Sequence, residues 1–387
     1  MRLGASKMLR TVHGPEEVGL YSDRWQSALH LIQNWCETDR VPSAGLMLAR
    51  DGKTLGPQLF GRQTLSLESK PIRQDAIFLI ASITKPVVAM GVLLLAERGL
   101  LSLDDRVEQF VPEFGGHGKH AVTLRHLLTH TSGLPDMLPN NRELRVANAP
   151  LSEFVKQACA IGLDFPPGRG MQYQSVGFLM LGEIVQRVTG QSCAQFLRQE
   201  IFQPLGMADT ALGAPGQWLV GSSPVVNRIA EVRVTEDQVG ESTWNWNSPF
   251  WRRLGAPWGG LLTTPADLGR FAQMMLGGGT LDGIRILSPA TVRAATSNQL
   301  EAMKEVPADD RRCRPWGLGW RLNWPGHSAN FGDFLSPRTY GHWGATGTVL
   351  WIDPDLNAFC VLFTTQPQEP HGNYLARACN AVVAAMV

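Results

Sequence analysis

The chain has 387 residues, 44% of them hydrophobic and 18% charged, enough apolar material for a sizeable core and too much for a disordered chain. Its 35 Lys and Arg against 34 Asp and Glu leave a formal net charge of +1. No large single-sign field exists to hold nucleic acid, anionic lipid or a polyacidic partner.

The opening segment carries Arg2, Lys7 and Arg10 but lacks the apolar core of a secretion signal. Ser22 is placed to cap a helix in which Trp25, Ala28, Leu29, Ile32, Trp35 and Cys36 recur at spacings of three and four. Pro42 ends that helix. Residues 44–50 and 54–60 flank Asp51-Gly52, a hairpin signal. The longest apolar, uncharged stretch, 87–96, falls short of the ~20 residues of a membrane span.

The middle of the chain reads as helical. Segments 123–130, 152–160 and 176–188 each run into a glycine, Gly133, Gly162 and Gly190, and Ser192 can cap the next helix. Thr264-Pro265-Ala266-Asp267 and Ser288-Pro289 are helix starts. Near the C-terminus two apolar runs, 348–352 and 358–365, precede a closing helix over 374–386. The pattern predicts an α+β fold. An antiparallel sheet built from both chain ends and flanked by helices (1–80 and 305–387) receives a mainly helical insertion (81–304), with the active site at their junction. Cys36, Cys159, Cys193, Cys313, Cys360 and Cys379 contain no CxxC pair and read as free thiols of a cytoplasmic protein.

No GxSxG, HExxH, phosphate-loop or GxGxxG pattern occurs. His126 and His130 share a helical face, but no acidic or cysteine partner lies at ligand spacing, so they read as structural histidines and no metal or cofactor is expected. The informative string is Ala81-Ser82-Ile83-Thr84-Lys85-Pro86, which opens an apolar helix. Three residues apart in a first turn, Ser82 and Lys85 share a face. A serine hydroxyl needs a base, and a lysine amine becomes one when burial lowers its pKa. The competing interpretation is a capping serine followed by a surface lysine.

Downstream strings decide between them. Leu124-Arg125-His126-Leu127-Leu128-Thr129-His130-Thr131-Ser132-Gly133-Leu134, Pro166-Pro167-Gly168 with Tyr173, Pro204-Leu205-Gly206-Met207, Gly259-Gly260-Leu261 and Gly341-His342-Trp343-Gly344-Ala345-Thr346-Gly347 follow Ser82-Ile83-Thr84-Lys85 in that order. With them, nearly the whole chain resembles the serine β-lactamase and penicillin-binding-protein superfamily. The resemblance is to its class C-like branch, which includes family VIII carboxylesterases and D-amino-acid peptidases.

The resemblance implies a β-lactamase-like fold in which Ser82 is the acyl-accepting nucleophile and Lys85 its proton partner. Tyr173 would act with the lysine as general base and acid. The backbone N–H groups of Ser82 and Ala345 would form the oxyanion hole, and Ser175, His342, Trp343 and Gly344 would contact substrate. Two positions depart from the β-lactamase pattern. Ser175 stands where an asparagine contacts lysine and substrate, and His342 where a lysine binds a substrate carboxylate.

Both departures favour a carboxylesterase acting on small neutral esters. A β-lactamase, D-amino-acid peptidase or amidase is the alternative, and a catalytically silent binding protein on the same scaffold is the second. The expected partner is a small ester or amide, with no nucleic acid and no membrane. Trp244, Trp246, Trp251 and Trp258, and Trp316, Trp320, Trp324 and Trp343, form two clusters suited to a pocket wall or to core packing. Arg252, Arg253 and Arg314 can meet an anion or simply face solvent.

Overall fold

Strands from the two ends of the chain meet in one seven-stranded sheet. The computed structural model describes residues 10–324, 330–367 and 373–387, so Arg2 and Lys7 lie outside the described residues. The strands are β1 (Arg10–Thr11), β2 (Ser43–Arg50), β3 (Lys53–Gly61), β4 (Arg321–Leu322), β5 (Tyr340–Gly344), β6 (Thr348–Asp353) and β7 (Ala358–Thr364). Their order across the sheet is β1-β3-β2-β7-β6-β5-β4, and every pairing is antiparallel except the edge pair β1 and β3.

Helices cover both faces, which is why these strands read as unbroken apolar runs rather than as alternating ones. On one face Ala44, Leu46 and Leu48 join Val349, Trp351, Cys360 and Leu362. They pack with α1 (Ser22–Glu37) and the C-terminal helix α5 (Asn373–Ala384). The other face carries Met47, Ala49, Leu350, Ile352, Val361 and Phe363 and packs with α4 (Pro265–Leu276). The stripe predicted for α1 is the buried one, although Ser22 is its first residue and not its cap. Tyr21 takes the cap position, and the Ser22 hydroxyl donates to Glu16.

The middle of the chain builds around α2 (Thr84–Glu97), whose residues from Thr84 to Leu95 are all buried. It packs on α3 (Val176–Thr189). One apolar cluster runs without a break from α2 and α3 to the α4-facing side of the large sheet. A small three-stranded sheet of Phe78–Leu79, Leu261–Thr263 and Ala211–Leu212 leads the chain into α2. All six cysteines are unpaired, five of them buried. Among the described residues, no helix is long and apolar enough to cross a membrane.

Candidate active site

The strand Phe78–Leu79 ends in a tight turn, and Ser82 stands on it. Ala81 sits at φ +46°, a left-handed conformation that costs a non-glycine residue energy and persists only where its surroundings hold it. Several bonds do so here. Ile80 N donates to Leu261 O (3.1 Å), and the Thr84 hydroxyl donates to Ala81 O (2.6 Å) while accepting from Leu261 N (3.0 Å). From the other side, the hydroxyls of Thr346 and Thr348 donate to the carbonyls of Leu79 (2.7 Å) and Ile80 (3.0 Å). The turn between β5 and β6 is thereby tied to the backbone just before Ser82, with Ala345 exposed at its start.

Lys85 lies one helical turn into the same segment and is fully buried, which rules out the surface-lysine interpretation. Its Nζ donates to Ser82 Oγ at 3.0 Å and to the carbonyl of Trp258 at 3.0 Å. The ring of Tyr173 lies 4.7 Å from Nζ and that of Phe178 5.9 Å. Burial lowers the Lys85 pKa to about 7, opposed only in part by the negative charge of Asp136. At neutral pH a substantial fraction of this amine is therefore unprotonated and able to accept a proton.

Tyr173 completes the cluster. Burial raises its phenol pKa, while a hydrogen bond with Ser82 acts in the opposite direction. The phenol stays protonated and can pass a proton without first losing one. Its ring packs against His130 (centroids 4.7 Å apart), Trp316 (5.9 Å) and His342 (5.9 Å).

Both histidines are neutral for the same reason, burial beside Lys85. His342 is pushed down to about 3 and His130 well below its usual value. The Nδ1 of His342 lies 2.7 Å from the carbonyl oxygen and 2.9 Å from the backbone nitrogen of Trp343, and that of His130 accepts from Gln174 N (3.0 Å). His126 likewise accepts from Thr123 N through Nδ1 (3.2 Å), so each of the two paired histidines has a structural hydrogen bond.

The structure thus brings Ser82, Lys85 and Tyr173 together, with His342 behind the tyrosine and Gly344 and Ala345 against the serine turn. Two expected substrate contacts are engaged elsewhere. The Ser175 hydroxyl donates to Asp136 Oδ1 (2.7 Å), and Ser175 is only 3% exposed. Trp343 packs edge-on to Phe331 in the apolar cluster under α1 and α5, with its ring 5.4 Å from that of His342. Trp244, Trp251, Trp258, Trp316 and Trp320 are core residues, and of these five Trp316 and Trp258 adjoin the cluster.

Sequence reasoning missed Asp136 and His130 as neighbours of the cluster, and offered Trp258 and Trp316 as pocket wall or core without choosing. Asp136 directly follows Gly133-Leu134-Pro135, and Trp258 directly precedes Gly259-Gly260, so adjacency to a recognised string was the available signal.

A family model described as Beta-lactamase matches residues 29–384. Penicillin-binding protein 4 of Amycolatopsis lactamdurans is 31% identical over 339 residues, 84% of this chain and 79% of that protein. Esterase EstB of Burkholderia gladioli is 36% identical over 185 residues, 44% of this chain and 47% of that protein. Among solved structures, a family VIII carboxylesterase superposes with a TM-score of 0.74 at 22% identity, covering 93% of this chain and 98% of the other.

Proposed function

The chain belongs to the β-lactamase family and is a serine hydrolase, and from that premise we propose that it hydrolyses small neutral carboxylic esters through an acyl intermediate on Ser82. The observation that carries this reading is the 3.0 Å bond between Ser82 Oγ and a buried amine whose pKa has fallen to about 7. Neutral Lys85 takes the hydroxyl proton as Oγ attacks the ester carbonyl. The negative charge that develops on the carbonyl oxygen faces the N–H groups of Ser82 and Ala345. Tyr173 relays the proton to the departing alkoxide, which leaves as the alcohol. Water then attacks the acyl carbonyl with the same groups in reverse roles, releasing the acid and free Ser82.

Two features support esters over β-lactams. His342, in the position of a carboxylate-binding lysine, is buried and neutral. Ser175, in the position of an amide-binding asparagine, is held by Asp136. A charge-assisted contact of the kind lost at His342 is typically worth ~1.5–3 kcal/mol, or roughly one to two powers of ten in kcat/KM. The similarity to Esterase EstB points the same way. The similarity to a penicillin-binding protein keeps amide and β-lactam hydrolysis as the second reading.

Labelling with a fluorophosphonate, with the adduct mapped by mass spectrometry, tests the nucleophile. Steady-state kinetics on p-nitrophenyl acetate and nitrocefin tests the preference. An adduct on Ser82 and an ester advantage of at least ~100-fold are expected. Nitrocefin turnover equal to or above that of the ester would reverse the ranking.

A further inference from the structure

The hydrolytic cycle makes no use of Asp136, yet the fold holds that carboxylate beside the catalytic cluster. Its backbone carbonyl accepts from Ser175 N (2.9 Å) and Val176 N (3.2 Å), tying residues 133–137 to the start of α3. Its Oδ1 accepts the Ser175 hydroxyl at 2.7 Å, two residues along the chain from Tyr173. Despite these ties Asp136 is exposed, and among the described residues it forms no ion pair with a lysine or arginine.

Two cations lie near the cluster, Lys85 and Arg321, and the charge of each acts on His130 and His342, but both cations are buried. His130 and His342 are buried and uncharged, and Lys85 is buried beneath Ser82 and Tyr173. The charge of Asp136 acts on both Lys85 and Tyr173, so its field reaches the reacting groups. Beside it, a crevice of only about 10 Å³ lies among Met137, Ser175, Phe154 and Trp258. That is room for about one water. A charged substrate group is too large for that crevice and would meet Asp136 at the surface.

From this placement we infer that Asp136 forms a subsite for a cationic nitrogen on the substrate. The enzyme then selects small esters that carry an ammonium a few bonds from the scissile carbonyl and rejects those that carry a carboxylate there. The inference rests on Ser82 being the nucleophile. An exposed ion pair changes binding by a factor of a few, and comparing a cation with an anion counts that factor twice, so a spread of roughly 10-fold is expected.

The test uses three p-nitrophenyl esters with acyl tails of one length, ending in trimethylammonium, tert-butyl or carboxylate. Trimethylammonium and tert-butyl have the same shape, so their ratio isolates charge. The kcat/KM values, corrected for spontaneous hydrolysis, should fall in that order over roughly 10-fold for the full chain. The order should collapse to within ~2-fold in 1 M NaCl, which needs no variant, and in Asp136→Asn, whose side-chain oxygen can still accept from Ser175.

A cationic ester no better than its tert-butyl isostere would overturn the subsite, as would an order that survives both high salt and Asp136→Asn. Fluorophosphonates bearing the same three tails separate this result from the ester reading. Charge-ordered labelling of Ser82 without ester turnover would retain the subsite and remove the esterase. Ester turnover with no charge order would do the reverse, and no labelling at all would remove both.

Discussion

Gly344 lies so close to the Ile80 carbonyl that a Cβ on it would collide with that oxygen and with the Thr348 hydroxyl, and would come within 3.1 Å of the Ala81 side chain. This contact sets how near β5 approaches the Ser82 turn, and with it the separation between the N–H groups of Ser82 and Ala345. Gly344→Ala should therefore push strand and turn apart. Overpacking of this kind costs ~1–3 kcal/mol, and we expect at least a ~10-fold fall in kcat on neutral esters. Thermal melts alongside ester kinetics check this, and an alanine variant with wild-type kcat would show that the spacing is not critical.

The pH dependence of turnover should report Lys85. Its amine must be unprotonated to accept the Ser82 proton, and burial sets its pKa at about 7. Thus kcat/KM on a neutral ester should rise with pH to a plateau above an apparent pKa near that value. Neither His342 nor His130 should add a limb between pH 5 and 8, since burial keeps both neutral there. A rate already at its plateau at pH 5 would remove Lys85 as the base.

Stability should carry the same signature with a definite sign. The folded pKa of Lys85 is lowered from 10.5 to about 7, so the unfolded chain binds more protons between those values and stability should rise with pH across that window. Below pH 7 both states are protonated, and burying the ammonium costs its full penalty, on the order of 5 kcal/mol. Lys85→Met should abolish turnover while making the protein more stable at pH 6, and should flatten the slope between pH 7 and 10. Urea titrations at several pH values measure it; an unchanged slope would contradict the burial argument.

Tyr173→Phe keeps the ring that packs on His130, Trp316 and His342 but removes the hydroxyl that we propose relays the proton. We expect at least a ~100-fold loss in kcat, with a melting temperature close to wild type. Combining it with Lys85→Met should add little further loss, because groups acting as one unit are not additive. Near-wild-type turnover by the phenylalanine variant would assign the relay to another group.

Gln174 should matter to folding rather than to chemistry. Its side-chain amide donates to the carbonyls of His126 and Leu127 (3.2 Å each), and its oxygen accepts from the Ser132 hydroxyl. Gln174→Leu would leave these buried partners unsatisfied at about 1–3 kcal/mol apiece. A drop of ~2–4 kcal/mol in unfolding free energy is expected, readable by urea denaturation; a loss under ~1 kcal/mol would mean that water takes the vacated bonds.

The parts of this protein legible from the sequence are those whose physics is local or strictly periodic. The stripe on α1, the hairpin at Asp51-Gly52 and the apolar runs of β6 and β7 follow from repeats of 3.6 and 2 residues and from turn chemistry. Ser82 and Lys85 share one helical turn, so their meeting was also legible. Tyr173, His342 and Ala345 were reached through resemblance, because no local rule joins residues that far apart in the chain.

Tertiary structure alone decided what surrounds them. It buried Lys85 under the Trp258 carbonyl, 173 residues away, and so shifted its pKa. It turned Ser175 toward Asp136 and packed Trp343 on Phe331. It also packed most of the tryptophans into the core rather than a pocket wall. Burial, charge and side-chain direction at these positions are sums over long-range neighbours, and periodicity along the chain carries no record of them.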